Sequence, residues 1–189
     1  GGYAIAGMVG HGDAFVMRDP SGIRPAFYYA DDEIAVAASE RPVLQTTFNL
    51  KASEIRELKP GHVLIIKQDG RISEVEFTEP NERKACSFER IYFSRGTDED
   101  IYKERKRLGK SLAPSVLQSI NHDIDNTVFS YIPNTATVAF KGLIEEVHTF
   151  CNQIKSDRIL ELGDRATPEK IAGILSFSPR VEDIAVKDV

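Results

Sequence analysis

The sequence is poor in cysteine and has no long apolar run. Its two cysteines, Cys86 and Cys151, lie far apart and show no Cys-x-x-Cys or Cys/His spacing. This usage argues against a disulfide scaffold and a self-contained zinc site, and it predicts a reducing, cytoplasmic environment. No apolar run approaches the roughly 18 residues of a membrane span, and no signal peptide is recognisable, so we expect no membrane partner.

An excess of positive charge is also absent. The 189 residues include 24 Lys and Arg against 29 Asp and Glu, which gives a formal net charge of −5. Basic residues are not interleaved with aromatic ones, so nucleic acid is not an expected partner. A chain of this length can form one large domain or two small ones and can bury roughly 70% of its unfolded surface.

The sequence changes character near residue 85, which predicts two domains, 1–84 and 85–189. Short apolar runs separated by Gly, Pro or Asp predict strands before this point. Helical spacing of apolar residues predicts the main elements after it. The predicted strands are 3–9, 14–18, 26–30, 34–38, 63–67, 72–77, 88–94, 127–132 and 181–189, and the predicted helices are 101–120, 138–154 and one that begins after Thr167. The polar segment 79–84 is the predicted linker.

The first part is organised around the stretch 18–25, Arg-Asp-Pro-Ser-Gly-Ile-Arg-Pro. Pro20 and Gly22 predict a tight turn, and the strands on either side predict a hairpin. Its charged residues are Arg18, Asp19 and Arg24, for which a turn-stabilising ion pair and cap is the simplest interpretation. A second hairpin is predicted at Asp69-Gly70, and Ser39 is predicted to cap a helix.

The residues alone show no recognisable motif that pairs a nucleophile with a base. Cys86 lies beside Lys84 but has no histidine near it in any recognisable motif, and the four histidines are scattered. The Gly-rich segment 7–12 leads into a strand rather than a helix, so it is not a phosphate loop. Thr135 differs, because a strand end that leads into a helix N-terminus can bind phosphate, although helix capping is an equal alternative.

Several segments in combination resemble the class II glutamine amidotransferases. The segments are 18–25, 37–40 and 59–62. The next ones, 86–96 and 101–113, narrow the resemblance to the amidophosphoribosyltransferase family. Ile132-Pro133-Asn134-Thr135 then falls where that family has a Pro-[Glu/Asp]-[Thr/Ser] turn. The resemblance covers roughly residues 1 to 140.

The resemblance implies both a fold and an activity. The fold is α+β and α/β: the second half of an N-terminal-nucleophile αββα glutaminase domain, followed by the start of a phosphoribosyltransferase-type domain. The family makes 5-phosphoribosylamine from phosphoribosyl pyrophosphate (PRPP) and glutamine-derived ammonia, the first step of purine synthesis. The full-length enzyme is expected to use magnesium and to form a homo-oligomer. Some members hold an iron–sulfur cluster with a cysteine at the position of Cys86, but a cluster is not supported here and we interpret Cys86 as structural.

Residue roles follow from the same resemblance. Thr135 matches a magnesium-contacting position in the family's magnesium and PRPP site, although Asn134 replaces the usual acid beside it. Tyr92, Phe93 and Arg95 are interdomain candidates, with ordinary packing as the alternative. The structural motif comprises Arg18, Asp19, Gly22, Arg24, Ser39 and Glu40.

No catalytic or substrate-binding residue is expected within the chain. The family's Cys nucleophile lies upstream of a segment like 1–4, and its PRPP loop lies downstream of a strand like 181–189, so we expect an internal fragment that is inactive alone. The segment 148–179 departs from the family pattern, and Cys151 within it is given no role. The alternatives are another class II amidotransferase, such as an asparagine synthetase, or a non-catalytic degenerate module.

Overall fold

The computed structural model describes residues 1–186, which form two compact units: Gly1–Asp98 and the residues from Glu99 onward. Strands dominate the first unit and helices the second, so the chain is mixed α and β as expected. Within residues 1–186, none of the helices combines the length and apolar character that crossing a bilayer requires.

The first unit contains two antiparallel sheets. Its elements are β1 (Ala4–Met8), β2 (Ala14–Arg18), β3 (Phe27–Ala30), β4 (Ala35–Ala38), α1 (Arg41–Phe48), β5 (Arg56–Glu57), β6 (His62–Ile66) and β7 (Ile72–Glu76). One sheet has the order β1-β2-β6-β7 and the other the order β4-β3-β5. Tyr28 of β3 and Leu64 of β6 are buried in the same apolar cluster, so the core of this unit lies between the sheets.

The predicted hairpin at residues 18–25 is wrong. Strand β2 pairs with β1 and β6, whereas β3 pairs with β4 and β5. The stretch 18–25 therefore carries the chain from one sheet to the other. The physical reason is that backbone N–H groups of this turn bond to the side chain of Asp19 rather than to a facing strand. The hairpin predicted at Asp69-Gly70 is confirmed by the antiparallel pairing of β6 with β7.

The segment after β7 belongs to the first unit. The N–H groups of Asn81 and Lys84 each donate a 2.9 Å hydrogen bond, to the carbonyl oxygens of Pro20 and Ser21 respectively. The compact units consequently divide after Asp98, later than the boundary predicted between residues 84 and 85. The strand predicted over 88–94 is instead a single π-helical turn, Glu89–Phe93, closed by a 2.8 Å bond from the Ser94 N–H to the Glu89 carbonyl.

The second unit is built on two long helices. Its elements are α2 (Glu99–Ser119), β8 (Val128–Phe129), α3 (Thr137–Leu162), α4 (Pro168–Leu175) and β9 (Arg180–Val181). Helix α2 continues through Pro114, where the sequence predicts a kink or a new turn. The core contains Leu117, Ile124, Phe129, Val147 and Cys151.

Strands β8 and β9 pair in parallel, so β8, α3 and β9 follow the order of a βαβ unit. Both strands are shorter than predicted, and the end of the strand predicted over 181–189 lies outside the described residues. The Thr167 hydroxyl caps α4 by accepting a bond from the Lys170 N–H, as its sequence position predicts.

Candidate functional site

Arg18 lies at the centre of the sheet-to-sheet turn with 2% of its surface exposed. Its guanidinium donates to three main-chain carbonyl oxygens, those of Leu58 at 2.6 Å, Arg24 at 2.7 Å and Gly22 at 3.2 Å. The Glu57 carboxylate, 2.9 Å from Nη1, balances the buried charge. This one side chain therefore ties β2, the turn and the loop before β6 together.

Asp19 complements Arg18 from inside the same turn. Its fully buried carboxylate accepts hydrogen bonds from four backbone N–H groups, those of Ile23, Ser21, Arg24 and Tyr3, at 3.0 to 3.4 Å. Burial alone would raise the pKa of Asp19, but these four bonds stabilise the charged form and hold its pKa below the ordinary value. Gly22 has φ of +61°, and a Cβ there would lie 2.9 Å from Pro60, so glycine suits the turn both sterically and conformationally.

The turn thus uses its charged groups to satisfy its own backbone. Arg18 and Asp19 have almost no accessible surface, so neither can meet a substrate without unfolding of the turn. The remaining charged residue, Arg24, is half-exposed and reaches outward. Its Nη1 lies 2.7 Å from Oε2 of Glu89, and its guanidinium carbon lies 5.6 Å from the centre of the Phe93 ring.

An exposed aromatic cluster lies on the π-helical turn. Tyr92 and Phe93 pack edge to face with their ring centres 5.3 Å apart. They remain 63% and 52% exposed, and the neighbouring Phe88 is 69% exposed. Large exposed apolar side chains in one short segment are typical of surfaces that make contacts. Phe88, Tyr92 and Phe93 are called the aromatic cluster below.

The other motif residues lie around helix α1. The N-cap of α1 is Glu40, without a side-chain cap, so the prediction that Ser39 caps this helix is wrong. Ser39 is exposed. Oε2 of Glu40 instead accepts a 2.9 Å bond from Nε of Arg95, which fixes the end of the segment that carries the aromatic cluster.

Thr135 lies in the second unit, in the turn between β8 and α3. Its side chain is exposed, and the N-cap of α3 is Ala136 rather than a threonine. The Thr137 hydroxyl donates a 2.8 Å bond to the Asn134 carbonyl, which closes this turn. The structure therefore places Thr135 before a helix N-terminus, the position that the sequence predicts for it.

Comparison with known proteins gives a consistent result. No protein-family model matches the chain. Amidophosphoribosyltransferase of Bacillus subtilis is 36% identical over 149 residues, which cover 77% of this chain and 29% of that protein. The Lachancea kluyveri enzyme of the same name is 34% identical, with coverage of 72% and 28%. The chain belongs to the amidophosphoribosyltransferase family.

Solved structures agree with this assignment. Glutamine PRPP amidotransferase from Bacillus subtilis, complexed with ADP and GMP, matches with a TM-score of 0.58 and 30% identity over 77% of this chain and 30% of that one. A structure described as the allosteric regulatory enzyme of purine biosynthesis matches with a TM-score of 0.57 and 29% identity, over 71% and 28%. The chain spans less than a third of the length of these amidophosphoribosyltransferases. The relatives do not favour an asparagine synthetase or a degenerate module.

The described residues do not by themselves fit the cofactors that the family suggests. Magnesium prefers one or two carboxylates together with substrate phosphates. The segment 130–136, which contains Thr135 and Asn134, has hydroxyl and amide side chains but no carboxylate. Residues 1–186 contain no group of three or more His, Cys, Asp or Glu side chains that could hold a metal. An iron–sulfur cluster needs about four cysteine ligands, and the sequence has two, both free thiols.

The sequence analysis missed the acidic residues that pair with the arginines of the sheet-to-sheet turn. Glu57 and Glu89 pair with Arg18 and Arg24 across 39 and 65 positions of the chain, so no local pattern reveals which arginine each one pairs with. Glu89 carried a usable signal, since it is an acidic residue inside an aromatic segment whose other side chains are mostly apolar. An acid in such a setting needs a cationic partner when it is buried.

Proposed function

We propose that this chain is part of an amidophosphoribosyltransferase, which makes 5-phosphoribosylamine from PRPP and glutamine-derived ammonia. In this reaction the glutamine amide is hydrolysed to glutamate and ammonia. The ammonia nitrogen then forms a bond to C1 of PRPP while the bond from C1 to pyrophosphate breaks. Glutamine and PRPP are the proposed substrates of the complete polypeptide, magnesium its proposed cofactor and a homo-oligomer its proposed assembly.

One observation supports this proposal above the others. The match to the Bacillus subtilis enzyme covers 77% of the chain, whereas the first compact unit ends at Asp98. The similarity therefore extends beyond one unit into the other, as expected if both come from the same two-site enzyme. A chain that shared only a glutaminase module with the family would match in the first unit alone.

We propose that residues 1–84 come from the second half of an N-terminal-nucleophile glutaminase domain, and residues 85–189 from the junction and the start of a phosphoribosyltransferase domain. The two packed sheets of the first unit and the parallel pair β8 and β9 of the second unit support this assignment. Thr135, which precedes α3, is the proposed contact of this chain with the PRPP and magnesium site.

The proposed role of the named residues of this chain in the reaction is structural: they shape the path of the ammonia and hold the surrounding fold. Ammonia reacts as the neutral amine and is lost if it meets bulk water and takes up a proton, so an apolar path protects it. Tyr92 and Phe93 are the proposed apolar wall between the two reactions, and Arg95 is their proposed anchor. Arg18 and Asp19 hold the sheet-to-sheet turn and contact no substrate.

The test is the coding sequence on both sides of the chain, followed by an assay of the complete product. We expect an upstream Met-Cys-Gly start and a downstream Asp-Asp-Ser-x-x-Arg-Gly loop. The complete product should release glutamate from glutamine only in step with pyrophosphate release from PRPP. The 189-residue chain alone should hydrolyse no glutamine above background, and measurable turnover would contradict the proposed division of the active site.

A further inference from the structure

The π-helical turn that carries the aromatic cluster is fixed by a buried carboxylate. Glu89 is the first residue of this turn, and only 6% of its surface is exposed. Its Oε2 is fully buried and makes no hydrogen bond of acceptable angle within residues 1–186, although Nη1 of Arg24 lies 2.7 Å away. The contact is therefore mainly electrostatic, and Glu89 depends on Arg24 for charge compensation.

Arg24 is well placed to hold this carboxylate because its own backbone is fixed. Its N–H donates a 3.1 Å bond to the Asp19 carboxylate, and its carbonyl accepts a 2.7 Å bond from Nε of Arg18. Its side chain then reaches from the rigid turn to Glu89 and over the Phe93 ring. One residue thus contacts both ends of the π-helical turn.

Burial contributes little to holding the aromatic cluster in place. Phe88, Tyr92 and Phe93 are all more than half exposed, so burial stabilises their positions weakly. The ion pair of Arg95 with Glu40 holds the segment only after the π-helical turn has ended. π-Helical turns are rare and are frequently found at functional sites, which fits a segment whose geometry matters more than its stability.

We propose that Arg24 is a positioning residue, which through Glu89 and Phe93 fixes the aromatic cluster and so couples glutamine hydrolysis to the use of ammonia. The coupling rests on the proposed function, because it assigns Tyr92 and Phe93 to the ammonia path. The clamp itself, Arg24 with Glu89 and Phe93, does not rest on it. The two parts have separate tests.

Hydrogen exchange on the 189-residue chain tests the clamp. The Ser94 amide bonds to the Glu89 carbonyl and closes the π-helical turn, and the Arg90 amide bonds to the Cys86 carbonyl just before it. In Arg24→Met we expect exchange of both amides to accelerate about tenfold, while the β2 amide of Val16 is unaffected. The control Arg71→Met removes an exposed ion pair on the β6–β7 turn and should change neither. Unchanged exchange at Ser94 and Arg90 in Arg24→Met would overturn the clamp.

A second variant separates charge compensation from simple loss of packing. Adding Glu89→Gln to Arg24→Met removes the uncompensated buried charge, so it should restore much of the slow exchange at Ser94. If Arg24→Met accelerates exchange throughout the first unit, the double variant still decides the matter by the same criterion. Absence of any recovery would show that Arg24 acts only by packing.

The complete polypeptide tests the coupling. We expect Arg24→Met to lower the ratio of glutamine-dependent to ammonia-dependent phosphoribosylamine synthesis about tenfold, because a misplaced wall loses ammonia to water. Arg24→Lys keeps the charge and should recover part of this ratio. A complete polypeptide without any synthesis would refute the proposed function and the coupling with it, whereas an unchanged ratio in an active enzyme would refute the coupling alone.

Discussion

Helices α2 and α3 cross with their backbones in contact at two glycines, which yields a quantitative prediction. A Cβ added to Gly109 would lie 1.7 Å from the Ala139 carbonyl oxygen, and one added to Gly142 would lie 2.0 Å from that of Lys106. An ordinary contact needs about 3.5 Å, so the helices would have to separate by roughly 1.5 to 2 Å. Because the opposing atoms are backbone, no side chain can rotate away.

The expected cost of Gly109→Ala follows from two opposing effects. Overpacking a core costs about 1 to 3 kcal/mol, and fixed backbone atoms place this case at or above the upper end. Separation of the helices also loosens the packing around Val147 and Cys151, which are fully buried. Alanine gains about 1 kcal/mol of helix propensity over glycine. We therefore expect a net loss of about 2 to 3 kcal/mol in the free energy of unfolding.

Urea unfolding followed by far-UV circular dichroism measures this loss, because the two longest helices both lie in the second unit. The matched control is Gly173→Ala in α4, where an added Cβ meets no atom within 4 Å. That variant should be more stable than wild type by about 0.5 to 1 kcal/mol. The double variant of Gly109 and Gly142 should cost less than the sum of the single ones, because one separation relieves both clashes. A Gly109→Ala protein as stable as wild type, alongside a normal control, would refute the close crossing.

Three further predictions concern the first unit and are measured by urea unfolding, followed through NMR signals of residues in that unit. Asp19→Asn should lose about 2 to 3 kcal/mol at neutral pH, because an amide presents one acceptor oxygen where the carboxylate presents two. Burial raises the Asp19 pKa, but the four N–H bonds lower it by more. The ionised carboxylate therefore stabilises the fold above the unfolded-state pKa of about 3.9, and this stabilisation is lost as pH falls through the lower folded-state pKa. Asp19→Asn should not show this part of the loss of stability in acid. Tyr28→Phe should lose about 1 kcal/mol of stability, because it removes the 2.8 Å hydrogen bond from the Tyr28 hydroxyl to Glu74. Burial, and then the bond to Glu74, raise the Tyr28 pKa in the folded state. The stability that this hydroxyl contributes to the wild type should therefore be lost as pH rises above about 10, and Tyr28→Phe should not show that loss. Gly61→Ala should lower the free energy of unfolding by about 1 to 3 kcal/mol, which is more than Gly70→Ala should. Both glycines have a positive φ, but only at Gly61 would an added Cβ meet a backbone atom, the Thr78 carbonyl oxygen at 2.5 Å.

Contrary results would be equally specific. An Asp19→Asn protein with the same acid-induced loss as wild type would show that the four N–H bonds do not depend on the ionised carboxylate. A Tyr28→Phe protein with an undiminished alkaline loss would assign that loss to other groups. Equal costs at Gly61 and Gly70 would mean that backbone strain alone decides both positions.

Local patterns in the sequence predicted most of the elements because their signals are short-range. A continuous apolar run located β6, alternating apolar residues located β7, and Asp69-Gly70 identified the turn between them. The threonine and proline at 167 and 168 predicted the start of α4. Such signals depend on neighbouring residues alone, so they need no knowledge of the fold.

The errors arose where distant residues decide the structure. The turn at 18–25 reads as a hairpin, but the partners of β2 and β3 come from other parts of the chain. The strand predicted over 88–94 failed because Glu89 is drawn to Arg24, whose position in the sequence says nothing about segment 88–94. The resemblance to a family located the motifs, while the pairing of their charges emerged only from the structure.

The attachment of residues 79–84 to the sheet-to-sheet turn has a consequence for proteolysis. Arg83 and Lys84 are exposed and adjacent, and in a free linker they would be the first peptide bonds that trypsin cuts. Here the Lys84 N–H is bonded to the Ser21 carbonyl, and the Arg83 guanidinium lies 3.1 Å from the Glu57 carboxylate. Residues 79–84 must first detach from the sheet-to-sheet turn before they can enter the active-site cleft of a protease. Limited digestion with trypsin should therefore leave residues 79–84 intact while longer exposed loops are cleaved.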